Sequence, residues 1–195
     1  HFNLGNLLKE LGRLHEAEGC YREALKIKPK FTEALCNLGV ILRILLQAEE
    51  SESVLRQVVA YAPGFADAHF NLGNVLHDQG RFVEAKTSYE EAIRIRSGAY
   101  PEALANLGLS LRALGNYQLA ERMIREALAL KPDQAELHSN LGVILNELGN
   151  SVKAEESLRE AIRLLPEIPA FRSNLLFLLS TSQDVTQERY LQEAK

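Results

Sequence analysis

The apolar positions along the chain follow a helical period that stops and restarts at short intervals. Over residues 66–79 the apolar side chains recur three or four residues apart, at Ala68, Leu72, Val75 and Leu76. This spacing puts them on one face of an α-helix, and Gly80 then interrupts the pattern. A second helical run covers residues 82–96. Together the two runs predict a helical hairpin with a tight glycine turn.

The hairpin repeats along the chain, and an Asn-Leu-Gly step marks each copy. The step begins at Asn3, Asn37, Asn71, Asn106 and Asn140, and it degenerates to Asn-Leu-Leu at Asn174. Successive asparagines are 34, 34, 35, 34 and 34 residues apart. A fixed period of this length is typical of stacked supersecondary units. We therefore predict a single array with units at about 1–31, 32–65, 66–100, 101–134 and 135–168, a half unit at 169–181 and a closing helix at 185–195.

Glycine and proline columns support this division. Mid-helix glycine is unfavourable, so the glycine of each Asn-Leu-Gly step predicts that the backbone of another helix passes close by. A second glycine column follows each first helix, where a left-handed residue can satisfy terminal carbonyls, at Gly12, Gly80, Gly115 and Gly149. Prolines close most second helices, at Pro29, Pro63, Pro132 and Pro166. The second unit departs from the pattern, with Leu46 for the turn glycine and Ser51 for a small apolar residue.

Composition and charge exclude several classes of protein. Of the 195 residues, 46% are apolar and 25% are charged, as in ordinary soluble proteins. The net charge of −4 argues against nucleic acid as a partner. No apolar run is long enough to span a membrane, and Cys20 and Cys36 cannot form a secreted-type disulfide framework. We therefore predict a cytoplasmic protein that binds neither nucleic acid nor membranes.

Motifs for catalysis and metal binding are absent from the sequence. There is no phosphate-binding loop, no His-Glu-x-x-His and no cysteine pair at metal spacing. His69 and His138 share a repeat position, which is better explained by packing or surface polarity than by a ligand role. We predict a chain that is not an enzyme and that needs no metal or cofactor.

The second helices add an alanine column at Ala17, Ala85, Ala120 and Ala154 and a large-residue column at Tyr21, Leu55, Tyr89, Ile124 and Leu158. Together with the asparagine, glycine and proline columns at this period they resemble tetratricopeptide repeats, and the resemblance covers essentially the whole chain. The resemblance implies an all-α superhelical solenoid whose first helices line a concave groove for peptides or protein partners.

The asparagines of the Asn-Leu-Gly steps are the most informative positions on the first helices. An amide both donates and accepts, so a row of them can hold the backbone of an extended peptide with little regard to its sequence. The alternative is that each asparagine bonds to a neighbouring helix. We predict a peptide-binding face made of Asn3, Asn37, Asn71, Asn74, Asn106, Asn140 and Asn174.

Carboxylates stand near the start of several first helices. Asp67, Glu102 and Glu136 each lie four residues before an asparagine of the row, and we include them in the predicted peptide-binding face. They repel a client's terminal carboxylate and favour basic or hydroxyl-rich clients. Stabilisation of the helix N-terminus by their negative charge explains them equally well.

The unbroken asparagine row and the segment 174–191 are similar to the repeat region of O-linked N-acetylglucosamine transferases and their bacterial relatives. This resemblance implies that the chain recruits client proteins for a protein O-glycosyltransferase. The alternative is a free adaptor that self-assembles through Ile44, Leu45 and Leu46 or through its open ends, because exposed apolar surfaces at such places favour association.

Overall fold

The computed structural model describes residues 1–181, which form eleven α-helices and, within that range, no strand. The helices are α1 Phe2–Glu10, α2 Leu14–Ile27, α3 Thr32–Ile44, α4 Ala48–Tyr61, α5 Ala66–Asp78, α6 Phe82–Ile95, α7 Pro101–Ala113, α8 Tyr117–Leu130, α9 Ala135–Glu147, α10 Ser151–Leu164 and α11 Pro169–Thr181. The predicted all-α fold is confirmed. The predicted closing helix at 185–195 lies outside the described residues.

Two compact units divide the chain, His1–Ala99 and Tyr100–Lys195. The first contains the hairpins α1–α2, α3–α4 and α5–α6, and each later hairpin packs on the second helix of the one before it. The second contains α7–α8 and α9–α10, with α11 packed on α10 and α9. In both units the odd-numbered helices carry the asparagine row, and we call them the first helices.

Each hairpin packs a small position of its first helix against a large position of its second helix. A methyl group added at Gly73 would lie 2.6 Å from the ring of Tyr89, and one added at Gly39 would lie 2.7 Å from Leu55. The nearest atoms at these two glycines belong to a large buried side chain of the second helix rather than to its backbone. At Gly142 both neighbours are close, with Leu158 at 2.6 Å and the carbonyl oxygen of Ala154 at 3.0 Å.

The turns inside the hairpins have the predicted left-handed conformation. Gly12, Gly80, Gly115 and Gly149 have φ between 72° and 77°. Leu46 occupies the same column with φ 61°, and its backbone makes the same two closing hydrogen bonds, from Leu46 N–H to the Arg43 carbonyl and from Gln47 N–H to the Leu42 carbonyl. The second unit thus retains the turn geometry although leucine rarely adopts it.

The other irregular position of the second repeat has a partner of its own. The side chain of Ser51 is fully buried, and its hydroxyl donates a 2.6 Å hydrogen bond to the carbonyl oxygen of Gly39. This bond satisfies a polar group that would otherwise be costly to bury.

None of the helices within residues 1–181 combines the length and the apolar character that a membrane crossing requires.

Candidate functional site

The asparagine row occupies equivalent positions on the first helices of each unit. From Asn37 to Asn140, the next two residues of each Asn-Leu-Gly step are buried in the hairpin, so the asparagine itself lies at the edge of the core. Asn3 is exposed, and the other five asparagines of the row are half-buried. Each is therefore accessible from the same side of its helix, but their hydrogen bonds differ.

In the first unit, Asn37 is held by a side chain of the preceding hairpin. Its Nδ2 donates a 2.9 Å hydrogen bond to Oδ1 of Asn6, which also accepts a 2.8 Å bond from the hydroxyl of Tyr21. Sequence reasoning missed Asn6. A signal was present, because Asn6 lies fifteen residues before Tyr21 just as Asn74 lies fifteen before Tyr89.

Asn74 has the same relationship to its own hairpin. Its Oδ1 accepts a 2.8 Å hydrogen bond from the hydroxyl of Tyr89, which is almost completely buried. One turn earlier on α5, the Asn71 side chain makes no hydrogen bond to any other described residue. The two asparagines predicted together on this helix are therefore in different situations.

The second unit repeats the contrast between held and unbonded amides. Nδ2 of Asn174 donates to the hydroxyl oxygen of Ser139 at 3.2 Å. The Asn140 side chain, by comparison, has no hydrogen bond within residues 1–181. Asn106 is half-buried at the equivalent position of α7.

Two of the three predicted carboxylates belong to ion pairs. Oδ1 of Asp67 accepts a 2.6 Å hydrogen bond from Nη2 of Arg96, and Glu102 accepts one from the ammonium of Lys131. Each pair joins the start of a first helix to the residue following the second helix of the same hairpin. Glu136 is exposed and has no ion pair with the described residues.

Further ion pairs link the last turns of consecutive first helices. In the first unit, Nη1 of Arg43 donates to Asp78 at 2.7 Å. In the second unit, Nε and Nη2 of Arg112 donate to both carboxylate oxygens of Glu147 at 2.9 to 3.0 Å. The hydrogen bonds to Glu147 raise the pKa of Arg112 above its ordinary value. The charges at these helix ends are therefore largely compensated.

A cleft of about 330 Å³ opens between α9 and α11, with an edge formed by α7 and a floor that includes α10. Its lining is mainly apolar and includes a few polar groups. The lining residues are Arg112, Gly142, Val143, Asn146, Glu147, Leu158, Asn174, Phe177 and Leu178. Phe177 is 63% exposed even though it belongs to this lining. The cleft shares Asn174 with the asparagine row.

The two histidines of the shared repeat position have structural contacts. Nε2 of His69 lies 2.9 Å from the carbonyl oxygen of Pro63, and Nε2 of His138 lies 2.7 Å from that of Pro132. Each ring therefore fastens a first helix to the loop before it, which agrees with the predicted packing role. Within residues 1–181 no group of three or more histidine, cysteine, aspartate or glutamate side chains is arranged to hold a metal ion.

Comparison with family models gives matches to the tetratricopeptide repeat over most of the chain. Three such models match residues 1–31, 64–133 and 105–168. A search of curated protein sequences finds no match.

Solved structures of similar fold include several repeat proteins. TTC0263, a thermophilic TPR protein of Thermus thermophilus, is 24% identical, with 92% of this chain and 97% of that chain covered and a TM-score of 0.74. PilF of Pseudomonas aeruginosa is 19% identical, with 98% and 86% covered and a TM-score of 0.85. YrrB, described as a TPR protein with an unusual peptide-binding site, is 22% identical, with 87% of each chain covered and a TM-score of 0.70. At these identities the likeness establishes the fold.

Proposed function

We propose that this chain, which belongs to the tetratricopeptide repeat family, binds extended segments of client proteins on the asparagine faces of its two units. The observation that carries the proposal is the state of Asn71 and Asn140. Both amides are half-buried on first helices, and neither makes a hydrogen bond within the described residues. An amide in this state has two N–H donors and a carbonyl acceptor available for a peptide backbone.

The held asparagines support the same function in a different way. The side chains of Asn37 and Asn174 each donate one N–H to a neighbouring side chain, while their Oδ1 atoms accept no hydrogen bond from described residues. A side chain fixed in this manner loses less conformational freedom when a ligand binds. We therefore assign these two residues the role of oriented acceptors for client N–H groups, and Asn71 and Asn140 that of adaptable two-way contacts.

Two of the predicted carboxylates are weaker candidates for contact with a client, because they already belong to ion pairs. Arg96 and Lys131 already compensate Asp67 and Glu102. Because exposed ion pairs contribute only about 0 to 1 kcal/mol, a basic side chain of a client can replace either partner at little cost. Glu136, which has no such partner within residues 1–181, is the stronger contact for a basic client residue.

A selection from a phage-displayed library of random 12-residue peptides tests this function. Peptides that bind the wild-type chain are synthesised, and their Kd values are measured by fluorescence polarisation against Asn71→Ala/Asn140→Ala. We expect affinity to fall about tenfold or more, because each lost hydrogen bond contributes about 0.5 to 1.5 kcal/mol.

The matched control is Asn116→Ala, which removes an exposed asparagine that makes no side-chain capping bond at the start of α8. Far-ultraviolet circular dichroism verifies that all variants keep their helices. Selected peptides that bind the double variant as tightly as the wild type would contradict the proposal, and so would a library from which nothing is enriched.

Recruitment for a protein O-glycosyltransferase is the finer form of the proposal, and it rests on the resemblance of the asparagine row and the segment 174–191. Its test is a chimera in which this chain replaces the repeats of an O-linked N-acetylglucosamine transferase. We expect the chimera to modify serine-containing versions of the selected peptides faster than the catalytic domain alone. Equal rates, or an acceleration that persists with Asn71→Ala/Asn140→Ala, would count against recruitment.

A self-assembling adaptor is the second candidate, favoured by the apolar corner at the end of α3. Ile44 is 47% exposed and Leu46 is 89% exposed, with Leu45 half-buried between them. If this corner joins two copies, light scattering will give a dimer mass for the wild type and a monomer mass for Leu46→Glu. A monomer mass for both the wild type and Leu46→Glu would contradict self-assembly through this surface.

A further inference from the structure

The side chains that follow the asparagine row by three residues change character between the two units. In the first unit these positions hold Asn6, Val40 and Asn74, and in the second unit they hold Leu109, Val143 and Phe177. Residues three apart on a helix are neighbours on one face, so these side chains lie beside the row. The face of the second unit is therefore more apolar next to the amides that we propose to bind peptide.

This apolar strip includes the cleft between α9 and α11. Val143 and Phe177 form its walls, while Leu158 and Leu178 contribute to its floor. Leu158 and Leu178 are buried, whereas Phe177 presents an exposed ring to any occupant. An apolar cavity of about 150 Å³ is enough to hold benzene, so the volume of about 330 Å³ accommodates one large apolar side chain.

The charge around the cleft favours an uncharged occupant. Arg112 and Glu147 stand at the rim, and they form a two-point ion pair with each other. A charged occupant would have to leave water without gaining an uncompensated partner, which is unfavourable. An uncharged apolar side chain meets no such penalty.

The polar groups at the rim suit the backbone on either side of that side chain. The side-chain amide of Asn146 makes no hydrogen bond within residues 1–181, and the side-chain carbonyl oxygen of Asn174 accepts none from them. Both residues line the cleft. They are placed to pair with the N–H and C=O groups of an extended peptide whose side chain enters between α9 and α11.

We propose that this cleft is a specificity pocket for one apolar side chain, of leucine to phenylalanine size, in the extended client segment. The inference rests on the proposed function and names the kind of client that the second unit selects. Peptides that lack such a residue still bind through the asparagines, but more weakly.

Two experiments test the pocket separately from the asparagine row. The first titrates N-acetyl-phenylalaninamide into the ¹⁵N-labelled chain, with the amide of N-acetyl-aspartate as the charged comparison, and follows amide chemical shifts. We expect shifts centred on Gly142, Val143 and Phe177 with the phenylalanine compound, and about tenfold weaker binding to Phe177→Ala. The control is Val152→Ala, which removes a side chain that is 71% exposed at the start of α10.

The second experiment uses the peptides from the 12-residue library. We expect one position in each tight binder to be leucine, methionine or an aromatic residue, and its replacement by alanine to weaken binding to the wild type about tenfold but to leave binding to Phe177→Ala nearly unchanged. Val143→Phe, which fills the cleft and replaces none of the asparagines, should remove the same preference.

The outcomes distinguish the two proposals. Peptides whose binding depends on Asn71 and Asn140 but shows no apolar preference would overturn the pocket and leave the peptide-binding function standing. If the wild-type chain binds no peptide from the library, both the pocket and the peptide-binding function are contradicted. Self-association that Phe177→Ala abolishes would assign the cleft to a second copy of the chain and would also overturn the inference.

Discussion

The hydroxyl of Tyr89 donates a hydrogen bond of 2.8 Å to the side-chain carbonyl oxygen of Asn74, fifteen residues earlier in the same hairpin. Tyr21 and Asn6 form the same pair, also at 2.8 Å. Where the second helix has an aliphatic residue instead, the position fifteen before it is aliphatic too, as in Val40 with Leu55, Leu109 with Ile124 and Val143 with Leu158. The two positions therefore change together from polar to apolar.

A double-mutant cycle on Tyr89→Phe and Asn74→Val measures this coupling. Asn74→Val alone removes the hydrogen bond that Asn74 accepts from the almost completely buried Tyr89, and we expect a loss of about 1 to 3 kcal/mol in the free energy of unfolding. Tyr89→Phe should cost about 0.5 to 1.5 kcal/mol. In the double variant the two losses should be less than additive by about 1 kcal/mol in urea unfolding. Strict additivity would show that the hydrogen bond does not couple the positions.

The mid-helix glycine of each hairpin should tolerate no side chain. A methyl group at Gly73 would meet the Tyr89 ring at 2.6 Å, so Gly73→Ala overpacks the hairpin and should destabilise it by about 1 to 3 kcal/mol. The matched control is Gly19→Ala, since Gly19 lies within α2 and an added methyl group there meets nothing within 4 Å. This control should gain about 0.5 to 1 kcal/mol from helix propensity. Equal effects at the two sites would contradict the packing seen at Gly73.

Leu46 offers a stabilising substitution. Its φ of 61° is left-handed, which costs a leucine about 1 to 2 kcal/mol, and its side chain gains little from packing because it is 89% exposed. Glycine avoids that strain but loses about 0.5 to 1 kcal/mol of chain entropy, so Leu46→Gly should raise the free energy of unfolding by about 0.5 to 1 kcal/mol. The reverse change, Gly80→Leu, places leucine at φ 74° and should lower it. Thermal or urea unfolding measures both, and a loss of stability in Leu46→Gly would be the adverse result.

Alkaline pH should weaken the first unit through Tyr21. Burial raises the pKa of Tyr21 to about 12, compared with about 10 for a tyrosine in an unfolded chain. Since the folded state holds this proton more tightly, the contribution is constant below about pH 10 and is lost as pH rises from there towards 12. Urea unfolding at a series of pH values should show a shallower alkaline decline for Tyr21→Phe than for the wild type. Parallel curves would mean that another group is responsible.

The regular parts of the fold were predictable because they depend on local backbone requirements. Gly80 and its column mark left-handed turns, and Pro63 and its column follow the ends of second helices, so both constraints are visible in the residue type itself. The contact at Gly73 was harder to predict, because a glycine indicates a close neighbour but does not distinguish a backbone neighbour from an aromatic ring.

The hydrogen bonds of the asparagine row could not be read from the period. Asn37 and Asn71 occupy the same column, yet the side chain of Asn37 donates to Asn6 whereas the side chain of Asn71 makes no hydrogen bond to any other described residue. The difference depends on which side chain the preceding hairpin presents, and that neighbour lies about thirty residues away in sequence. The cleft likewise is lined by four helices, α7, α9, α10 and α11, so no single stretch of sequence predicts it.

The pairing of Tyr89 with Asn74 closes entirely within one hairpin. A hairpin copied or deleted as a whole keeps both members, whereas an exchange with a break between positions 74 and 89 separates an amide from its phenol. Arrays of this kind can therefore lengthen or shorten in whole hairpins without separating the phenol from its amide, and recombination inside a hairpin is where such a separation would arise.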